Sequence, residues 1–319
     1  MKIDLIIQHG ETVQYPPVLE GIELSLERKG VPGKLTFTVV KGDGLDFVEG
    51  DAVKLTVDDV DLFFGFVFTK KRSKDETITV TAYDQLRYLK NKDTYVYENM
   101  TATDVVQMIA QDFRLQTGDI EDTVHIIPSR VEDDSTLFDI IQNALDDTLT
   151  ATRRLFVLYD DVGRLTLQNI ESMKLDYLLD ADTLENFDYK STIDELTFNQ
   201  IKVVYEDSDS GVRSVHMAKD SSNINQWGVL QLTESVENLI NGQSKADSLL
   251  ALHNEKTRAL NASNALGDIR VRAGSSIIVQ LNLGDLLVSN YMVVESVRHT
   301  FSEQQHLMQL KLRGGTFIV

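Results

Sequence analysis

Residues 47–92 read FVEGDAVKLTVDDVDLFFGFVFTKKRSKDETITVTAYDQLRYLKNK, and this stretch decides the fold class. Residues 52–57 alternate, with Val53, Leu55 and Val57 on one face of a strand. The polar pair Asp58-Asp59 marks a turn, and a second strand follows through 62–68 with Gly65 in its middle. A glycine among Phe63, Phe64, Phe66 and Phe68 predicts a bulge or tight bend, as a curling sheet requires. A charged turn over 70–76 leads to a third strand over 77–82, with Ile78 and Val80 on one face. Tyr83-Asp84 ends the sheet. Residues 85–90 then read as a short helix with Leu86 and Leu89 apolar.

The same plan returns near the C-terminus. A glycine-opened strand over 274–281 is followed by a turn at Gly284-Asp285, a strand over 291–297, a polar turn over 302–305 and a closing strand over 307–312. The copies share pattern rather than identity. Two unrelated antiparallel meanders would also share it.

The chain of 319 residues is long enough for two or three domains with ordinary cores. It has no apolar run of membrane-spanning length, and the charged and polar start MKIDLIIQHG does not fit a signal peptide. Cysteine is absent, which excludes disulfides, thiolate metal sites and cysteine nucleophiles. The net charge of −19 argues against general nucleic-acid binding. Its distribution is uneven: about −2 over 1–92, −16 over 93–200 and −1 over 201–319. Ordinary solvation of an acidic domain is the simpler account of that excess.

In chain order, short strands at 3–7, 21–27 and 34–40 join the opening meander, so residues 1–92 read as an antiparallel β-barrel. Residues 93–198 read as a small acidic α+β domain. It has a capping box at Thr101-Ala102-Thr103-Asp104, a brief strand at 125–128, a helix capped by Ser135, and a hairpin across 160–163. Its last part, 171–195, reads as acidic and irregular. Residues 199–319 read as a second β-barrel, with strands paired across 207–210 and a helix inserted near 243–261. The expected fold is therefore mainly β with α+β: two similar antiparallel barrels flanking the acidic domain.

Enzyme signatures are weak. Asp133-Asp134, Asp146-Asp147 and Asp160-Asp161 supply paired carboxylates, but adjacent side chains diverge on a strand or helix and do not face each other across a sugar. His299 and His306 flank one turn without an evident third metal ligand, and His253 reads as a core-edge residue. No nucleotide, hydrolase-elbow or metalloprotease motif occurs. No catalytic, cofactor-binding or metal-binding residue is expected. The aromatic strand is the more telling feature. Phe63, Phe64, Phe66 and Phe68 occupy both faces, so the outer set needs cover from another subunit or from another part of the same chain. Tyr291 and Met292 repeat the feature, and these six residues form the candidate inter-subunit interface.

The phrase TVTAYDQLRYLKNK at 79–92 resembles the tail hub proteins of myophages and phage-like elements, including the XkdQ/YqbQ group of defective prophages. More distantly, the pattern is similar to the first part of secretion-system spikes. The order Trp227-Gly228-Val229-Leu230-Gln231, an Ala- and Leu-bearing helix, Ala273-Gly274, then Tyr291 through His299 and Met308 through Leu312 extends the resemblance over nearly the whole chain. The resemblance implies a non-enzymatic homotrimer in which two barrels per chain make a pseudo-sixfold ring joining tail tube to spike. It implies partners among tube or tube-initiator proteins, a spike or cell-wall hydrolase and other baseplate proteins, with DNA only as passing cargo and no membrane. It also implies a place in the tail of a virion or phage-like particle assembled in the bacterial cytoplasm. A cell-wall hydrolase or carbohydrate-binding tail accessory is the competing expectation.

Overall fold

Alternation of apolar and polar residues produces strands along most of the chain. The structure is a computed structural model, and it describes every residue except 43, 73, 75, 207–212, 237–241, 285 and 315–319. The chain opens with β1 (Ile3–His9), β2 (Thr12–Gln14), β3 (Ile22–Glu27), β4 (Lys34–Val40), β5 (Ala52–Val57), β6 (Val60–Arg72) and β7 (Thr77–Tyr83). The 3-10 turn Gln85–Lys90 leads to β8 (Lys92–Thr101), α1 (Ala102–Asp112), β9 (Thr117–Ile120), β10 (Ile126–Thr136), α2 (Leu137–Thr152), β11 (Phe156–Asp160) and β12 (Leu165–Asn169). After a second turn, Ile170–Met173, come β13 (Lys174–Leu179), β14 (Asn186–Thr192), β15 (Gln200–Glu206), β16 (Arg213–Lys219), α3 (Ser221–Trp227) and β17 (Gln231–Val236). The chain continues with α4 (Gly242–His253), β18 (Thr257–Leu266), β19 (Ser276–Asn282), β20 (Leu287–Phe301) and β21 (His306–Gly314).

Both ends of the chain contribute to one 13-stranded sheet, in the order β14-β18-β21-β20-β3-β4-β7-β6-β5-β1-β2, with β13 attached to β19 and β19 to β20. This corrects the expectation of two closed barrels. Among the described residues the sheet stays open, ending at β2, at β14 and, on the branch through β19, at β13, and its halves are fused where β20 pairs antiparallel with β3 from Ser296 opposite Glu27 to Phe301 opposite Ile22. A single sequence shows which segments alternate but not which edges they join.

The two halves repeat one another. Neighbour order β3-β4-β7-β6-β5-β1 in the first corresponds to β14-β18-β21-β20-β19-β13 in the second. The long middle strand carries a bulge at the equivalent place, between Val67 and Thr69 in β6 and between Val294 and Ser296 in β20. Gly50 and Gly274 match as well, with φ of 96° and 95°, a conformation that favours glycine. Gly50 N donates to Val67 O at 2.8 Å, and Gly274 N donates to Val294 O at 2.8 Å. The halves differ at the last pair: β1 runs antiparallel to β5, whereas β13 runs parallel to β19.

Each half has its own core. Leu35, Phe37, Val53, Leu55, Phe63 and Val80 fill the first; Leu260, Ile277, Val279, Val294, Leu310 and Leu312 fill the second. The seam is shared, because Phe301 of β20 packs in the first core and Leu26 of β3 packs against the second.

The middle segment forms a ribbon of β8 and β10 and a small sheet β11-β12-β9, both packed on α1 and α2. Thr101 and Asp104 make the expected capping box on α1. On α2 the cap is Thr136, not Ser135: Thr136 Oγ1 accepts from Asp139 N at 3.1 Å, while Ser135 Oγ donates to Asp133 O at 3.2 Å. Residues 171–195 are not irregular, since they hold β13 and β14, which extend the second half of the large sheet. The helix expected near 243–261 stops at His253, and β18 follows, where pairing with β14 and β21 wins over local helix propensity. α4 packs on a third small sheet, β16-β15-β17, around Ile201, Val203, Ala246 and Leu249. The loop expected at 207–210 lies outside the described residues.

Candidate interaction surface

Along β6 the side chains divide by parity. Phe63 is buried in the first core at 3% exposure, whereas Phe64, Phe66 and Phe68 are half-buried on the outer face. Gly65 lies in regular register opposite Val53, and the irregularities of β6 flank it, at Leu62 against β5 and at Phe68 against β7. The glycine serves close approach: a Cβ there would collide with the Tyr83 carbonyl.

The outer aromatic row is met by the same subunit. Phe64 lies against Gly163 of the β11–β12 turn, whose φ of 87° also favours glycine. Phe66 packs on Tyr88 with ring centres 6.5 Å apart, and Phe68 meets Tyr83 at 5.5 Å with Arg87 stacked over it. In the second half Met292 is buried at 2% exposure, while Tyr291 is half-buried beneath Lys174. Of the six candidate residues, then, Phe63 and Met292 serve their own cores. The two groups are not neighbours, since β3, β4 and β7 stand between β20 and β6.

Sequence reading missed the charged lock on the seam. Glu295 occupies the bulge of β20 and is held by Arg28 through bonds of 2.8 and 3.0 Å and by Arg313 at 2.6 Å. Burial alone would raise the Glu295 carboxyl, but the two guanidinium charges outweigh it and hold the group below the usual range. Arg28 N also donates to Glu295 O at 2.9 Å. The only sequence signal was an acidic residue interrupting the alternation of β20.

A second polar cluster lies where the first half, the β11–β12 hairpin and the second half meet. Asp84 is buried, accepting from Gly33 N at 2.9 Å and Leu86 N at 3.0 Å, and burial pushes its carboxyl well up. Beside it burial raises Asp160 to about 6. Arg272 stacks on Tyr159 at 3.6 Å and donates to Asp160 O at 2.8 Å. The short helix after Asp84 was legible in sequence, but the capping role of Asp84 and its burial were not, since the burial depends on chain segments far apart in sequence.

The acidic pairs do not assemble a cleft. Asp133 bonds Thr94, Asp134 pairs with Lys92, Asp146 with Lys29 and Asp147 with Arg130, while Asp161 faces Arg272. His299 Nε2 donates to Val271 O at 2.9 Å, so its Nδ1 accepts from His306 Nε2 at 2.9 Å. Burial lowers His299 to about 3 and His306 to about 4, so both are neutral near pH 7. His253 bonds Leu196 O at 3.0 Å at the end of α4. Among the described residues no group of three acidic or histidine side chains has metal-binding geometry, and no helix is long and apolar enough to cross a membrane.

A family model described as YqbQ-like matches residues 22–313. The chain is 32% identical over 304 residues to the phage-like element PBSX protein XkdQ of Bacillus subtilis (strain 168), spanning 92% of this chain and 91% of that protein. The 43 kDa tail protein of prophage MuSo2 from Shewanella oneidensis shares the fold with a TM-score of 0.68 at 13% identity, over 99% of this chain and 100% of that one. A tail protein from Neisseria meningitidis MC58 superposes with a TM-score of 0.70 at 12% identity, over 100% and 98%. The chain thus falls in the class of proteins that share the fold of these tail proteins. Within that class the chain belongs to the YqbQ-like family.

Proposed function

We propose that this protein is a non-enzymatic tail hub: a homotrimeric ring, sixfold by approximation, that joins the tail tube to the central spike of a contractile particle. The observation that carries the reading is the internal duplication, two halves of like strand order fused side by side in one sheet. A chain built from two like halves converts threefold symmetry into approximate sixfold symmetry, and closed rotational assemblies are the usual form of oligomers. In this reading the segment from 93 to about 173 stands outside the ring, where its acidic excess suits solvent and other baseplate proteins.

The test is the solution mass of the purified chain across concentrations, with imaging of the species found. A stable trimer appearing as a hollow disc is expected. A strict monomer at every concentration would sink the self-assembling ring.

A further inference from the structure

The duplication says more than that two halves exist, because one of its joints is filled and its counterpart is open. Inside the chain, β20 beyond its bulge pairs with β21 on one side and with the edge strand β3 on the other. Its counterpart β6 pairs with β7 beyond its own bulge, but over residues 69–72 its other side meets no described strand. The counterpart of β3 is β14, which among the described residues pairs with β18 alone and ends the sheet. One chain thus carries both members of a second joint, too far apart to meet each other.

We infer that residues 69–72 of β6 pair antiparallel with β14 of a neighbouring copy of this chain, with Thr69 opposite Thr192. The inference rests on the ring reading above and names the surfaces that would close it. The register follows from the ladders. Thr69 matches Ser296, since each is the first paired residue after the bulge. Ser25 pairs with Lys34, and Lys34 with Tyr83; Lys190 pairs with Ala259, and Ala259 with Arg313. Tyr83 and Arg313 stand at the same distance from the two bulges, which matches Ser25 with Lys190 and Glu27 with Thr192. Ser296 opposite Glu27 therefore becomes Thr69 opposite Thr192, and Lys71 falls opposite Lys190.

Three further observations agree. Two of the three apolar side chains of β3, Ile22 and Leu24, are matched on β14 by Phe187 and Tyr189, while Leu26 is matched by Ser191. The open edge of β6 is basic, with Lys70, Lys71 and Arg72, whereas acidic Asp188 and Asp194 lie on and beside β14. Lys190 is already neutralised by Glu195 at 2.6 Å, which relieves its opposition to Lys71. Pairing of this kind also removes two exposed sheet edges, which are otherwise sites of indiscriminate association. Phe68, the bulge residue, corresponds to Glu295. Its carbonyl would accept from Ile193 N of the neighbour, as Glu295 O accepts from Arg28 N within the chain.

The chain has no cysteine, so engineered pairs report cleanly. Two double variants, Thr69→Cys with Thr192→Cys and Lys71→Cys with Lys190→Cys, place thiols directly opposite across the inferred joint, where Cβ atoms lie about 4.5–5.5 Å apart. Under mild oxidation at least one should give covalent dimers and trimers that revert on reduction. The corresponding single variants, and Lys71→Cys with Asn186→Cys as an out-of-register pair, should give far fewer. All the substituted positions are on strand edges rather than in cores, so circular dichroism should be unchanged. Arg72→Glu, which puts a carboxylate in place of a cation beside Asp188, should raise the dissociation midpoint severalfold. A wild-type trimer whose in-register variants do not cross-link, or link no better than the out-of-register pair, overturns this joint and leaves the ring standing. A wild-type chain that never associates overturns the ring, and this joint with it.

Discussion

At the scale of single residues, two positions carry more of the fold than their size suggests. Gly65 faces the Tyr83 carbonyl so closely that a Cβ cannot be accommodated without moving backbone. Gly65→Ala should therefore cost about 3 kcal/mol, the upper part of the range for overpacking, measured by urea denaturation. A cost near zero would mean that β6 and β7 separate more easily than the ladder implies. The neutral pair His299 and His306 makes the chain sensitive to acid. Both groups have folded values below the ordinary histidine value of 6.5, so the unfolded chain binds more protons between 6.5 and about 4. Stability is full above 6.5 and is lost as pH falls through that window. At pH 5.5 buried His299 alone should remove about 1 kcal/mol. His299→Gln should flatten the profile between pH 7 and 5 in denaturation curves, even if it lowers stability at pH 7. An unchanged slope would assign the acid sensitivity elsewhere. The parity of Phe63 through Phe68 was legible in sequence; which partners cover the outer row was not, because Tyr88 and Gly163 reach it only through the folded chain.

Among elements, β20 matters most. It runs over 15 residues, joins β19, β21 and β3, and so belongs to both halves at once. Its bulge turns Glu295 between Arg28 and Arg313, and Arg28 is the more buried of the two arginines, with its side chain at 6% exposure. Glu295→Ala would leave two cations side by side at the seam. A loss of roughly 2–4 kcal/mol is expected, less than for a fully buried pair because the carboxylate is partly solvated. Glu295→Gln should recover part of it by keeping hydrogen bonds, and hydrogen exchange should show β3 and β20 opening together. Exchange that changes only in β20 would show that the lock does not span the seam. The two meanders themselves were readable, since alternation and glycine-opened turns recur in both. Their fusion was not, because a β20–β3 pair joins residues nearly a whole chain apart and leaves no local mark. For the same reason β13 and β14 passed as irregular: they are short, lie in an acid-rich stretch and become strands by pairing with the far end of the chain.

For the molecule as a whole, the repeated pattern and the two-faced aromatic strand were the sequence features that suggested assembly, and the open sheet adds a physical reason. A closed barrel satisfies its own edges; among the described residues this sheet presents β14 at one end and, within it, a stretch of β6 with a strand on one side only. If three chains share these edges, folding and association become one equilibrium, and stability must depend on concentration. For three unfolded chains forming one trimer, each tenfold rise in concentration adds about 0.9 kcal/mol per chain, two-thirds of the value for a tenfold change in an equilibrium constant. Denaturation midpoints should therefore climb with chain concentration over roughly a hundredfold range, then stop climbing below the concentration at which the trimer dissociates before unfolding. Arg72→Glu should move that break to higher concentration without altering the concentration-independent stability below it. Midpoints that stay fixed throughout would mean that each chain folds as an independent monomer, whose exposed edges then require partners other than itself.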